Sequence, residues 1–352
     1  MAENISFGLT FDDVLLEPRE SRVHPRTASL ETKLTKKIKL KIPILAAAMD
    51  TLSETEMAIA LGRLGGLAVL HRNCTAKEEV AMVKAVKAEG LICGAACGPH
   101  DIDRARALDA AGADVIFIDC AHAHNMEVVK NSQIIKNSVK AEVVVGNIAT
   151  KEAAKEIVKF ADGIKVGVGP GSICTTRIVT GVGVPQITAI QNVVSVAKKN
   201  GVPVIADGGT KYSGDVVKAL AAGADCVMLG SMLAGTKESP GEVIKIEGRL
   251  VKVFRGMGSI GAMKKGQSAD RYFQNSSQKL VPEGIEGLVR YKGALEEVIY
   301  QILGGIRSGM GYIGAQTIED IPKQAKFMMI TSAGLNESHP HSVIKDKESP
   351  NY

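Results

Sequence analysis

Short, nearly continuous apolar runs recur along the chain at residues 43–49, 67–71, 91–97, 115–120, 143–148, 164–168, 202–206 and 226–232. Runs of this length without polar alternation suit strands buried on both faces, as in parallel sheets. Amphipathic stretches at 54–64, 76–88, 102–111, 126–138, 151–160, 189–200 and 213–222 lie between them and predict helices. Ser53 before Glu56 and Thr150 before Glu152 supply start signals. The tetrapeptide Ala-Gly-Ala-Asp ends a helix before a strand at 111–114 and again at 222–225, with a looser version at 160–163. Eight alternating units in roughly 200 residues predict an α/β chain folded as a (β/α)8 barrel of the TIM type. An open doubly wound sheet would carry its phosphate glycines after the first strand, and here they come late.

Outside this rhythm, residues 1–40 read as a lead-in that packs across the bottom or side of one catalytic domain spanning 1–352. Residues 235–292 break the pattern after strand eight with an alternating segment, a glycine cluster and a polar, basic stretch. An insertion of that length on the active face predicts a hairpin and a mobile flap. A last helix over 294–306 would close the barrel, and the polar tail 331–352 would leave it.

Bulk composition narrows the class. Hydrophobic residues make up 45% of the 352 and charged residues 23%, ordinary for a globular protein. No apolar run reaches membrane-spanning length and no signal-peptide pattern opens the chain, which predicts no membrane partner. Six cysteines without a C-x-x-C pair or zinc spacing then read as reduced thiols in a cytoplasmic protein. A net charge of +5 spread along the chain could favour anionic substrates and gives no indication of nucleic acid.

A barrel places its chemistry at the C-terminal ends of its strands. At or just past those ends stand Met49, Asp50, His71, Asp119, Asn147, Asp207, Gly208, Gly209, Gly230 and Ser231. The last two groups follow strands seven and eight, where barrels commonly hold phosphate on backbone N–H groups. The loop after the sixth run, Gly167-Val168-Gly169-Pro170-Gly171-Ser172-Ile173-Cys174-Thr175-Thr176-Arg177, delivers one cysteine among hydroxyls and a cation. A thiol on such a loop is a candidate nucleophile; a tight strand-to-helix turn with an incidental cysteine is an equal reading of the loop alone. Cys93 and Cys97 would share a strand face as core fillers, and Cys120 and Cys226 bound buried strands. His122 and His124 with Asp119 make a conceivable two-histidine, one-carboxylate set, but no further ligand is evident. The G-x-G-x-x-G match at 256–261 opens no βαβ unit and is not read as a dinucleotide fingerprint.

Taken together, these residues resemble the inosine-5′-monophosphate dehydrogenases. The match runs through Leu9-Thr10-Phe11-Asp12-Asp13, Ala48-Met49-Asp50-Thr51, Gly146-Asn147, the cysteine loop and Gly181-Val182-Gly183-Val184-Pro185-Gln186. It continues through Asp207-Gly208-Gly209, Arg255-Gly256-Met257-Gly258-Ser259, Arg271-Tyr272-Phe273-Gln274 and Glu283-Gly284. The resemblance implies oxidation of IMP to XMP with NAD+ in a homotetramer activated by K+. It implies a covalent thioimidate on Cys174, hydrolysed with Arg271 and Tyr272 or through Thr176 and Glu283. Ser172, Gly208, Gly209, Gly230, Ser231 and the segment Phe254, Arg255, Gly256, Met257, Gly258 would hold the phosphate. Asp207 would bind ribose, and Met257, Gly258 and Glu283 would face the base, with Met49 also against the substrate. Asp119, Asn147, Gly167, Val168 and Gly169 would contact the cofactor. The carbonyls of Gly169, Gly171 and Cys174 would ring the cation with Glu337, Ser338 and His339 of a neighbouring subunit.

Departures from the family pattern are specific. The pair of CBS modules usual between strands two and three is missing between about 73 and 91. Phe254 stands where the family usually has Tyr, Cys120 and Ala123 alter the Asp119–Asn125 segment, and Ala46-Ala47 replaces a serine pair. Two other readings compete: a GMP reductase-like enzyme, disfavoured by Arg271-Tyr272, and a catalytically silent nucleotide-binding scaffold.

Overall fold

The computed structural model describes residues 5–265, 269–272, 274 and 279–343. Phe273 of the flap motif and the tail beyond 343 lie outside the described residues. Eight parallel strands close into a barrel: β1 (Ile44–Ala46), β2 (Leu67–Leu70), β3 (Gly94–Cys97), β4 (Val115–Asp119), β5 (Glu142–Ile148), β6 (Gly163–Val166), β7 (Val204–Asp207) and β8 (Cys226–Leu229). Closure comes from β8 pairing with β1, Val227 opposite Ile44. Each predicted run overlaps one of these strands, though Glu142, Gly163 and Asp207 extend theirs one residue beyond the run. Most strands are shorter than the runs; past the ends of β1, β6 and β8 the trailing residues, such as Met49, Gly167 and Gly230, leave the ladder to line the mouth.

The framework helices are α1 (Thr55–Arg63), α2 (Ala76–Ala88), α3 (Ile102–Ala110), α4 (Met126–Ser138), α5 (Lys151–Ile157), α6 (Gln186–Ala197), α7 (Ser213–Ala221) and α8 (Leu295–Ile313). Only α2, with its Thr75–Glu78 capping box, connects β2 to β3. Thr150 caps α5 as expected, accepting from Ala153 N at 3.2 Å. Ser53 does not cap α1: its own N–H is taken by Met49 O in a turn, and the helix starts one residue later from Glu54. Helix α8 runs seven residues past the predicted end at 306. Gly305, Gly309 and Gly311 in it are packing positions rather than breakers. A Cβ on Gly305 would meet Ser213 Oγ at 2.2 Å, and one on Gly309 would meet Val217 at 3.0 Å.

Two apolar layers follow from the strand geometry, in which neighbouring side chains point to opposite faces. Leu45, Leu67, Val69, Val115, Phe117, Val144, Ile205 and Met228 fill the barrel, with Leu34 and Leu40 of the lead-in among them at the bottom. The alternate residues pack outward against the helices. At the other end, β9 (Ile244–Ile246), β10 (Arg249–Arg255) and β11 (Glu286–Arg290) form an antiparallel sheet, and the segment joining β10 to β11 reaches the mouth. Residues Val14–Leu16 pair antiparallel with Phe327–Met329. Beyond them the short helix Ser332–Glu337 packs near Phe11–Asp13.

Candidate active site

The cysteine loop leaves β6 through Gly167, whose φ of +143° and 2.2 Å virtual Cβ contact with Asp207 O exclude any side chain. Past the turn, Cys174 Sγ lies 3.2 Å from Thr176 Oγ1, which donates to Glu283 Oε2 at 2.8 Å. Backbone bonds fix the two segments together: Thr175 N donates to Glu283 O at 2.9 Å and Ile285 N to Ile173 O at 3.0 Å. The thiol therefore faces a hydroxyl–carboxylate pair brought from 107 residues away.

The flap closes over this thiol. Arg271 forms an ion pair with Asp119 at the end of β4, and its carbonyl accepts from Ala121 N at 3.2 Å. Next to it, Asp270 binds Arg72 Nη1 at 2.8 Å, while Arg72 Nη2 donates to Asp119 O at 3.1 Å. Tyr272 packs on Gly258 so closely that a Cβ there would stand 2.7 Å from the ring. Burial pulls the Arg271 guanidinium below its ordinary pKa and pushes the Tyr272 phenol above its own.

On the opposite wall, Asp207 accepts from Asn147 Nδ2 at 2.9 Å and from Lys165 Nζ at 2.7 Å. Gly208 and Gly209, both with positive φ, then turn the chain back toward Pro170 and Gly171. With Ser172, Gly230, Ser231, Gly256 and Met257 they line the cavity that holds Cys174, a space of about 210 Å³. Met49 and Phe254 supply its apolar side, and a Cβ on Gly230 would lie 3.6 Å from the Phe254 ring. Small backbone-rich turns, the carboxylates of Asp119, Asp207 and Glu283, and one accessible thiol converge here. That combination suits a phosphorylated nucleoside attacked by sulfur.

Residues 8–341 match the family model described as "IMP dehydrogenase / GMP reductase domain". The chain belongs to that family. It is similar to the inosine-5′-monophosphate dehydrogenase of Cryptosporidium parvum, 49% identical over 99% of each chain. The proteins of the same name from Methanocaldococcus jannaschii (41% identical, 97% of each chain) and Aquifex aeolicus (40% identical, 99% of this chain and 98% of the relative) are similar too.

Not every residue expected of this IMP dehydrogenase / GMP reductase domain stands in the mouth. The Arg255 side chain turns to Asp50, which also accepts from Asn73 Nδ2 at 2.9 Å. Val168 is buried, and its carbonyl accepts from Arg177 Nε at 3.1 Å. Glu337, Ser338 and His339 do not line the cavity of their own chain; the His339 ring packs edge-on against Tyr212 at 5.7 Å. His122 and His124 stack edge-to-face 6.2 Å apart while Asp119 turns to Arg271. Among the described residues no three His, Cys, Asp or Glu side chains are grouped to hold a metal. Burial pushes the Cys93 thiol up to about 12 and the Cys120 thiol up to about 11, which leaves them unreactive.

Lys165, Thr210 and Lys211 also line the cavity and were not singled out from the sequence. For Lys165 a signal existed: one cation between Ile164 and Val166 in an otherwise apolar strand.

Proposed function

We propose that this chain oxidises IMP to XMP with NAD+ in guanine nucleotide biosynthesis, through a covalent adduct on Cys174. The observation that carries the reading is the placement of Cys174 between the Thr176–Glu283 pair and the docked Arg271–Tyr272 flap. The Cys174 thiolate adds to C2 of the hypoxanthine ring. Bound NAD+ supplies the acceptor for the hydride that leaves C2. Water then adds to C2 of the resulting thioimidate, its proton passes to a protein base, and the C–S bond breaks to release XMP.

Two bases face that carbon. Arg271 is ordinarily too basic to serve, and its burial lowers the cost of holding it neutral. The hydrogen-bonded path from Thr176 Oγ1 to Glu283 Oε2 offers a second acceptor. For the substrate, the Gly208-Gly209 and Gly230-Ser231 turns with Ser172 and the Gly256–Gly258 backbone take the phosphate. Asp207 takes the ribose, and Met257, Gly258 and Glu283 face the base, with Met49 closing its apolar side. Asp119, Asn147 and the Gly167–Gly169 backbone take the nicotinamide riboside. The fit is supported by Asp119, which lines the cavity and already binds a cationic side chain there, Arg271.

A K+ site fits the cysteine loop as well. Among the described residues, no backbone N–H donates to the Gly169 or Cys174 carbonyl, while Gly171 O accepts from Cys174 N at 3.1 Å. Glu337, Ser338 and His339 of a second copy would complete the ring, within a cytosolic homotetramer. The CBS modules are absent, since α2 alone joins β2 to β3.

The test is incubation of the purified protein with IMP and NAD+. NADH should form, intact mass should show an IMP-derived adduct, and Cys174→Ala should abolish both. Unchanged XMP production by Cys174→Ala would overturn the reading. Consumption of NADPH with GMP in place of this activity would assign the chain to the reductase branch.

A further inference from the structure

Lys165 lies inside the barrel near the top of β6, its side chain pointing inward while Ile164 and Val166 pack outward. Room for its stem comes from Gly146 on β5, where a Cβ would stand 2.6 Å from Lys165 Cβ. The ammonium is buried, 2.7 Å from Asp207 Oδ2 and 3.8 Å from Asp119 Oδ1, and it also donates to Asn147 Oδ1. Asn147 in turn donates to the same Asp207 oxygen at 2.9 Å and to Gly167 O at 2.7 Å. One fixed cation thus stands between the two carboxylates at the mouth, both of them largely buried.

Paired carboxylates in a dry site repel unless a cation lies between them, and a buried charge must keep its partners. Arg271 also serves Asp119, from the loop segment Asp270–Tyr272 rather than from a barrel strand. Lys165 sits on a strand. Its bond takes up Oδ2 of Asp207, a residue that lines the cavity, while no hydrogen bond among the described residues engages the other oxygen, Oδ1. We infer that Lys165 is a positioning residue for ribose recognition: it aims Asp207 at the sugar hydroxyls of the bound nucleotide. This inference rests on the proposed assignment of Asp207 to ribose.

The experiment compares kcat/KM for IMP with that for 2′-deoxy-IMP and 3′-deoxy-IMP in wild type, Lys165→Met and Asp207→Asn. A site built to bond a hydroxyl rejects the analogue lacking it, so the wild type should prefer IMP by roughly 100-fold or more over at least one analogue. The inference expects Lys165→Met and Asp207→Asn each to shrink that ratio by about tenfold or more, because the carboxylate loses its aim or its charge. Lys165→Leu, which removes the donor as well as the charge, carries the same expectation and serves if the Met variant does not fold. A merely structural lysine would lower kcat/KM for all three nucleotides alike. That outcome, with the ratio still collapsing in Asp207→Asn, would overturn the role of Lys165 and leave the ribose assignment standing. A ratio unchanged in Asp207→Asn would remove the assignment itself and the inference with it.

Discussion

Phe254 is buried at the end of β10 and turns its ring toward Gly230, beside the turn assigned to phosphate. A tyrosine there would add one hydroxyl pointing at that turn. Since a hydrogen bond to a charged group contributes about 1.5–3 kcal/mol, Phe254→Tyr should lower the Kd for IMP by roughly tenfold or more. Calorimetric titration with IMP checks it, and equal affinity would count against the phosphate assignment. Arg271 makes a prediction of a different kind. Because burial lowers its pKa, its neutral form becomes more populated as pH rises, about tenfold per unit below that pKa. Hydrolysis of the Cys174 adduct should therefore climb with pH in wild type. Arg271→Ala should slow it by roughly 100-fold or more and remove the climb, leaving the Thr176–Glu283 path. Quenched-flow decay of the adduct across a pH series reads both.

At the scale of elements, the flap segment Asp270–Tyr272 is held by contacts that include Asp270 to Arg72, Arg271 to Asp119, Ala121 N to the Arg271 carbonyl, and Tyr272 on Gly258. Asp270→Ala should undock it, so that adduct accumulates as hydrolysis slows while the apparent KM for NAD+ falls, Asp119 being freed. Steady-state kinetics together with adduct mass measure this. An unchanged partition would mean that the Arg72 pair does not hold the flap. The elements themselves were legible because barrel strands are buried on both faces and so read as unbroken apolar runs. Helix α8 outruns its predicted end because the packing that accommodates Gly309 and Gly311 lies in α7 and Pro25 across the seam, where no local pattern shows it. Lys165 went unread for a related cause: a strand pattern shows that a residue is inside but not which carboxylates it meets there. The pairing of Arg72 with Asp270 across 198 positions was equally invisible, since neither residue carries a local motif.

For the molecule as a whole, Ile244, Ile246, Val253 and Leu288 expose apolar surface on one face of the sheet beside the mouth. No helix among the described residues is long and apolar enough to cross a membrane. A patch of this kind on a protein in water calls for cover, and further copies of the same chain are the cover proposed above. Light scattering on the purified chain should then report a tetramer, and Leu288→Glu should shift it toward smaller species. Were Glu337 of one copy to complete the cation ring of another, Glu337→Ala would raise the K+ concentration needed for half-maximal rate by roughly tenfold, the effect of losing one charge-assisted bond. A K+ titration of activity reads it, and no change would place the cation elsewhere.

The antiparallel pairing of β10 with β11 has a kinetic consequence. Arg255 stands directly opposite Glu286, so the 30 residues between them begin and end at one spot. The entropy of bringing those ends together is already spent in folding, and nothing in the barrel has to open if Asp270–Tyr272 leave the mouth. On the proposed reaction, exchange of dinucleotide for water there is then a local rearrangement, at the pace of loop motion rather than of unfolding. Amide exchange in Arg249–Arg255 and Glu286–Arg290 should accordingly stay slow and unaltered whichever guest the mouth holds.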